Sequence, residues 1–340
     1  MPTFSTVIPA YNCENSIAET LRSIAAQTRK CEQVIVVDDG SKDNTGEVVQ
    51  NHFPWVEYVK IENSGVSVAR NTGFERATGD YIALCDGDDI WHPDKLKVIE
   101  NCIVDNPEIN FFFHDFYLFG EGVPVDKSAV SEGSRSIFPF FRETGLRYKD
   151  MMPGVKNFKP ASDEFDAATL LTGNIFQRLI LGNVILPSSI VISSKLLNSL
   201  GGFDPSFRKA EETEFFLRVA KYEDLGFVTL PLAGYRIGNG GLTSNLHDLL
   251  EHGMRALYKN CVDDQQIYEK YKDTVDLAIA RRYSRMASVN LRNRQRTDAW
   301  RNIMNGLRFR LFEVNLWKIF IASLLPFFVL ETLSGSGKKQ

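Results

Sequence analysis

An α/β fold, a mostly parallel sheet flanked by helices with a helical extension at the C-terminal end, is predicted by three observations. Short apolar runs alternate with helical patterns through the first 120 residues. Polar residues, carboxylates above all, stand where several of those runs end. Beyond about residue 244 the pattern turns helical to about residue 330.

The strands come first. FSTVIPA (4–10), QVIVVDD (33–39), VEYVKIE (56–62), DYIALCD (80–86) and INFFFHDFYLF (109–119) read as strands. Helical stretches lie between them at 15–27, 43–51, 65–77 and 93–105, with Ser41 or Asp43 near one N-cap and Pro93 in a first helical turn. Strand-helix alternation implies right-handed crossovers and parallel neighbours. In such sheets ligands collect beyond the carboxyl ends of the strands, where Tyr11, Asp38, Asp39, Asp86 and Asp88 fall. Residues 120–180 lose the rhythm and read as an inserted flap on an acceptor side. Regular structure resumes at 183–197, and a helix starts near Glu211.

Composition narrows the classes. With 340 residues the chain holds one large domain or a domain plus an appendage, and 44% hydrophobic residues suffice for a core. Five scattered cysteines without a Cys-x-x-Cys pair argue against a disulfide framework or structural zinc site and for a reducing, cytoplasmic compartment. The N-terminus reads directly as a strand, with no secretory signal expected. The net charge of −4 conceals an asymmetry: residues 281–340 carry 12 Lys+Arg against 3 Asp+Glu, and the first 280 carry 27 against 40.

The run ALCDGDDIW (83–91) begins like a buried strand and ends in Asp86, Asp88 and Asp89. Carboxylates so close repel one another and resist burial, so they persist together in open solvent or around a cation. In an extended segment residues two apart point the same way, which lets Asp86 and Asp88 face one site.

VIPAYN (7–12), VVDDGSKDNT (36–45), NSGVSVARNTG (63–73), DGDD (86–89), GGFD (201–204) and EETEFFLR (211–218), in this order and spacing, resemble the inverting family 2 glycosyltransferases of the GT-A nucleotide-sugar fold. The likeness covers about residues 3–245, so 1–245 is expected to be the catalytic domain and 246–340 a helical extension, basic and then apolar. The resemblance implies that Asp88 binds a divalent metal, Mn²⁺ or Mg²⁺, and that Asp86 shares that site or reaches the ribose hydroxyls. It places Asp39 on the imide N–H of the base with Asp38 beside it, Pro9, Ala10 and Tyr11 around the base, and Arg70 beside the nucleotide. Asp89 has a less defined place, as an N-terminal helix contact or a support for the metal site.

Inversion needs a base opposite the leaving group. The family's base is the second acid of a Glu-Asp pair after a GGFD turn; here the pair is Glu211-Glu212, so Glu212 takes that position, one methylene longer, with Glu211 and Glu214 as rivals. Three acids also suit a helix N-terminus electrostatically. Family members often show Tyr-Arg-x-His, whereas this chain reads Tyr235-Arg236-Ile237-Gly238, leaving Thr243, Ser244, backbone amides of that loop or His247 as substitutes.

From Arg281 to Arg310 there are nine arginines and one acid, followed by an apolar run, Ile319 to Leu330, too short to span a bilayer and interrupted by Pro326. This segment suits an anionic membrane surface, on the cytoplasmic face. The same pattern suits packing on the catalytic domain or a second subunit, which leaves a homo-oligomer open. No nucleic-acid partner is expected, since the chain is acidic elsewhere.

The implied activity is non-processive, metal-dependent, inverting transfer of a sugar from a nucleotide-diphospho-sugar, UDP by family frequency. The acceptor would be a saccharide or lipid-linked hydroxyl in cell-surface polysaccharide or glycolipid synthesis. A sugar nucleotidyltransferase would show a Gly-rich N-terminal loop and a nicotinamide dehydrogenase Gly-x-Gly-x-x-Gly; both are absent. The non-catalytic rival is a degenerate nucleotide-sugar-binding scaffold.

Overall fold

The structure is a computed structural model that describes residues 1–121, 123, 138, 147–152, 154–158, 168–238 and 246–326. It divides into two compact units, residues 1–239 and 240–340.

In the first unit, β1 (Phe4–Ala10), α1 (Ile17–Ala25), β2 (Gln33–Asp38), α2 (Thr45–His52), β3 (Glu57–Lys60), α3 (Val66–Arg76) and β4 (Tyr81–Leu84) alternate as the apolar runs predict. β1 is buried along its whole length, because helices cover both faces of a parallel sheet and leave no polar side for alternation. There follow β5 (Ile90–Trp91), α4 (Lys95–Asp105), β6 (Phe111–Phe119), β7 (Gly154–Phe158), β8 (Ala168–Gly173), α5 (Phe176–Leu181), β9 (Val191–Ser193), α6 (Ser194–Leu200), α7 (Glu211–Ala220) and β10 (Leu225–Arg236).

All ten strands form one sheet in the order β3-β2-β1-β4-β9-β6-β10-β8-β7, with β5 added to β10. Its β3-β2-β1-β4 half and the β6–β10 pair are parallel; β9, β8, β7 and β5 pair antiparallel, making the sheet mixed. Because β1, β2 and β4 run the same way, residues following their carboxyl ends share one edge.

The sequence reading differs from the structure at two places. Residues 120–180 were expected to be irregular, yet their described part contains β7, β8 and α5; the rest of that flap lies outside the described residues. The sequence reading assigns no element to 225–236, where β10, the longest strand in the sheet, runs. Pro231 breaks the strand pattern in the sequence, and the fold accommodates it at a register shift against β6, between Val228 and Ala233.

The second unit is helical: α8 (Leu246–Leu257), a π turn (Tyr258–Val262), α9 (Gln265–Arg292), α10 (Arg296–Phe309) and α11 (Val314–Ser323). Ala287, Ala299 and Ile303 form its core, with Leu291, Leu307, Ile319 and Phe320 packed around them. Among the described residues no helix is long and apolar enough to cross a membrane.

Gly73 lets α3 lie directly on β1: a Cβ there would stand 2.2 Å from the Val7 Cγ1. Replacing Gly73 with Val should push α3 off the sheet and lower unfolding stability by about 1–3 kcal/mol, read as a reduced urea midpoint.

Candidate active site

Two strand ends, those of β2 and β4, and the first turn of α7 supply the carboxylates. Asp38, closing β2, is wholly buried. It accepts hydrogen bonds from the Ser41 backbone N–H (2.7 Å) and the Tyr58 hydroxyl (2.5 Å). Asp38 therefore holds the turn that follows it. Asp39 turns the other way: its two oxygens accept from the backbone N–H groups of Ser64 and Gly65, at 2.7 and 2.9 Å. Those amides lead into α3, so Asp39 fixes the start of that helix and lies at the strand edge with Ala10 and Tyr11. The Tyr11 ring is exposed there.

α3 carries the centre of the arrangement. Arg70 is buried and donates from one Nη to Asp86 Oδ1 and from the other to Glu211 Oε1, both at 2.9 Å. Its guanidinium lies 4.9 Å from the Phe203 ring centroid. The two carboxylates hold the Arg70 pKa well above its ordinary value despite burial. Beside it, Asn71 exchanges hydrogen bonds with the backbone of Phe203, and Ser67 donates to the Phe207 carbonyl. One face of α3 thus positions the whole segment that leads to Glu211.

The acidic turn is held from below. Asp89 is buried; it accepts from the Ser188 hydroxyl at 2.5 Å and from the Arg236 backbone N–H at 3.0 Å. Ser188 Oγ in turn accepts from the Asp86 N–H at 2.9 Å, and the Ser188 carbonyl accepts from Lys95 Nζ at 2.8 Å. Lys95 is fully buried over the Trp91 ring, and burial lowers its pKa to about 7. Arg236 donates from Nε to the Asp88 carbonyl and from Nη2 to Glu19. With its backbone held on both sides, the Asp88 side chain is left exposed. Crowding by the surrounding protein, and then the Asp86 charge, push it up to about 6.

Glu212 stands on the first turn of α7. Burial raises its pKa first, and the neighbouring Glu211 adds its charge and a hydrogen bond, bringing it to about 8; Arg70 opposes the rise. Glu214 is buried and bound to Arg218, whose guanidinium also donates to the carbonyls of Leu200, Gly201 and Gly202. Glu214 is therefore committed to holding the preceding turn. The fields of Asp89, Asp88, Asp86 and Glu212 all reach Tyr235, which burial and these charges push to about 12. Asp86, Asp88, Arg70, Glu211, Glu212 and Tyr235 thus share one electrostatic neighbourhood.

Sequence reading missed Ser188, Lys95 and the clamp made by Arg236. Ser188 carried a weak signal, a polar pair in the apolar run VILPSSIVI, whereas Lys95 lies among charged residues and carried none; their meeting depends on the fold bringing 95 and 188 together. The loop containing Thr243 and Ser244 lies outside the described residues; His247 opens α8 in the second unit, 3.7 Å from a Glu251 oxygen.

Residues 5–158 match the family model described as Glycosyl transferase family 2. TuaG of Bacillus subtilis, a glycosyltransferase named for teichuronic acid biosynthesis, is 35% identical over 131 residues, covering 37% of this chain and 52% of that protein. An uncharacterized glycosyltransferase of Rickettsia conorii is 30% identical over 226 residues, 64% of this chain and 35% of its own length. The chain thus spans about half or less of these curated relatives. Among solved structures, S. aureus TarS 1-349 in complex with UDP-GlcNAc is similar with a TM-score of 0.55 at 17% identity, covering 88% of this chain and 89% of that chain.

Replacing Ser188 with Ala would strip the Asp86 N–H and the Asp89 carboxylate of a shared partner. The expected loss is about 1–3 kcal/mol of stability, measured by chemical denaturation, the cost of buried polar groups left unsatisfied.

Proposed function

We propose that the chain, whose residues 5–158 match the family 2 glycosyltransferase model and whose fold is that of the GT-A-like structural neighbours, is a family 2 glycosyltransferase that transfers a sugar, with inversion, from a UDP-sugar to a hydroxyl of a saccharide or lipid-linked acceptor. The observation that carries this reading is the Arg70 bridge: one buried guanidinium binds the carboxylate of the acidic turn and the carboxylate beside Glu212. Donor-side and acceptor-side groups are thereby fixed to each other. The UDP-GlcNAc complex of the structural neighbour and the polysaccharide named for TuaG support the choice of donor and acceptor class. A cytoplasmic site of action fits the five free cysteines.

In this reading Pro9, Ala10 and Tyr11 line the base, and Asp39 accepts its imide N–H with lone pairs left over from Ser64 and Gly65. Asp86 reaches the ribose through the oxygen that Arg70 does not use. The donor set suits a hard divalent cation: an exposed carboxylate at Asp88 beside a second at Asp86, crowded enough that Asp88 rises to about 6 when no cation offsets the repulsion. A Mn²⁺ or Mg²⁺ ion held by Asp88, with Asp86, would supply charge neutralisation for the departing diphosphate. Glu212 accepts the proton of the acceptor hydroxyl, and the freed oxygen attacks the anomeric carbon from the face opposite the diphosphate. Its raised pKa makes it a stronger base than an ordinary carboxylate. Glu211 holds that proton-accepting group through Arg70. The sequence has no Gln-x-x-Arg-Trp, the motif of the family's processive synthases, which supports addition of one sugar per encounter. The scaffold reading predicts donor binding with no turnover by any acceptor.

The test is a screen of UDP- and dTDP-sugars with Mn²⁺ or Mg²⁺, following nucleoside diphosphate release and donor binding. Glu212→Gln should retain donor affinity and lose about 10²–10⁴-fold in acceptor-dependent turnover. Asp88→Asn should abolish the metal dependence of donor binding, and chelation of the wild type should mimic it. Donor binding that ignores both metal and Asp88 would sink the metal assignment.

The pH profile carries a sign. A base must be deprotonated to act, so turnover should climb as pH rises through the Glu212 pKa of about 8. A profile flat from pH 6 to 9 would remove Glu212 from the role.

A further inference from the structure

The basic, apolar end of the chain is not used by the transfer chemistry. In α11 the residues facing the unit's interior are Leu316, Ile319, Phe320 and Ser323. At 100° per residue these occupy one side of the helix. The outward surface should be polar all round on a helix that lies in water, and on the flank beside Lys318 it is not. Val314, Trp317, Ile321 and Leu324 follow at spacings of three, four and three, and they are 61%, 41%, 63% and 58% exposed. Four large apolar side chains thus line one outward stripe. Next to it Leu311 and Met304 are also exposed, and a groove of about 320 Å³ lined by Met304, Leu307, Arg308, Leu311, Trp317 and Phe320 runs into the stripe.

The charges beside this stripe have one sign. From residue 304 to 326 the exposed ionisable side chains are Arg308, Arg310 and Lys318, and the single acid, Glu313, is buried; Arg301, further back on α10, is paired with Asp298 at 3.0 Å. A protein-protein face of this size would ordinarily deplete charge at its core and mix signs at its rim. An apolar stripe with an all-cationic border is complementary to a surface whose interior is hydrocarbon and whose border is anionic. Trp317 suits that boundary, since its indole N–H is already satisfied by the Leu311 carbonyl at 2.7 Å and its ring can enter an apolar layer without losing a donor. α11 has 10 residues, about 15 Å, half of a hydrocarbon core, so it can only lie along the interface.

We propose that α11 and the end of α10 form an interfacial anchor that binds anionic lipid bilayers, with Val314, Trp317, Ile321 and Leu324 entering the acyl boundary and Arg308, Arg310 and Lys318 meeting the headgroups. The proposal stands on the second unit alone and does not depend on the assignment of the transferase site.

The experiment is flotation of the full-length chain with vesicles of phosphatidylcholine alone and with about 30% phosphatidylglycerol, at low and high salt. Ile321→Ser/Leu324→Ser removes two exposed side chains that make no internal hydrogen bond, and Arg308→Gln/Lys318→Gln removes two charges. The proposal expects flotation with the anionic vesicles, little with phosphatidylcholine alone, at least a tenfold loss for each double variant, and a blue shift of tryptophan emission on binding. Circular dichroism identical to wild type certifies that the variants are folded. It is overturned if the wild type stays in the soluble fraction with both vesicles, or if the apolar double variant floats as well as wild type. A concentration-dependent dimer in lipid-free buffer that Ile321→Ser/Leu324→Ser abolishes would give the face to a second copy and also overturn it.

Discussion

A single buried cation organises the site. Arg70 sits between Asp86 and Glu211 with almost no access to solvent. A guanidinium moved into a protein interior without partners would cost several kcal/mol, and two carboxylates placed there alone would cost more. Each of the three is tolerable only because the others are present. The consequence is geometric: the acidic turn after β4 and the first turn of α7, separated by 125 residues of chain, cannot move independently. A neutral substitute at 70 would leave the buried Glu211 and the half-buried Asp86 without their shared cation, and Arg rather than Lys is required because two donors must point in different directions from one plane.

The acidic turn shows how opposing electrostatic demands are divided. Asp86, Asp88 and Asp89 cannot all be exposed to the same ligand and also fix their own backbone. Asp89 takes the structural part: it is buried on Ser188 and the Arg236 N–H, and its pKa is raised well above the usual range by burial and by its two neighbours. Lys95, buried beneath, anchors the Ser188 carbonyl. The turn is therefore rigid from below while Asp88 remains open above, the arrangement a ligand-binding carboxylate needs if its own ordering cost is to be met before the ligand arrives.

What the sequence made legible follows the range of the interactions. The β1-α1-β2-α2-β3-α3-β4 series is local, with apolar runs and turn signals specifying each element, and the residues at the strand ends were readable from the same rule. Asp38 and Asp39 were adjacent letters with one expected region; only the fold separates them, burying Asp38 against Tyr58 and turning Asp39 to the amides before α3. β10 was illegible because a proline inside a strand is read as a break, and the register shift that absorbs it is a property of two strands together. The resemblance placed Arg70 beside the nucleotide, but its burial between two carboxylates was not legible, since that depends on what segment 201–212 places over it. The outward stripe of α11 was hidden by its own composition: with only Asn315, Lys318 and Ser323 among apolar residues, the helix gives little sign of which apolar side is covered.

The carboxylates that open α7 invite a simpler account, that they only favour a helix N-terminus, and for Glu212 the direction of its pKa shift runs against it. A surface carboxylate near a helix start gains about 0.3–1 kcal/mol, less than one pKa unit in favour of the charged form. Glu212 is instead raised from 4.5 to about 8 by burial and by Glu211, the opposite direction and a larger change. Near neutral pH its charged form is therefore opposed by its surroundings, which a capping role would not require. Nor is the turn before it relaxed: Ala210 adopts φ 53°, ψ 25°, a left-handed conformation that costs a non-glycine residue of order 1 kcal/mol or more. Segment 201–210 is held in this form by Asn71, Ser67 and Arg218. Glu212 thus stands on a strained, braced turn with its neighbour Glu211 bound to Arg70, and the fold keeps there a carboxyl that resists ionisation. That combination suits a group whose task is to take a proton.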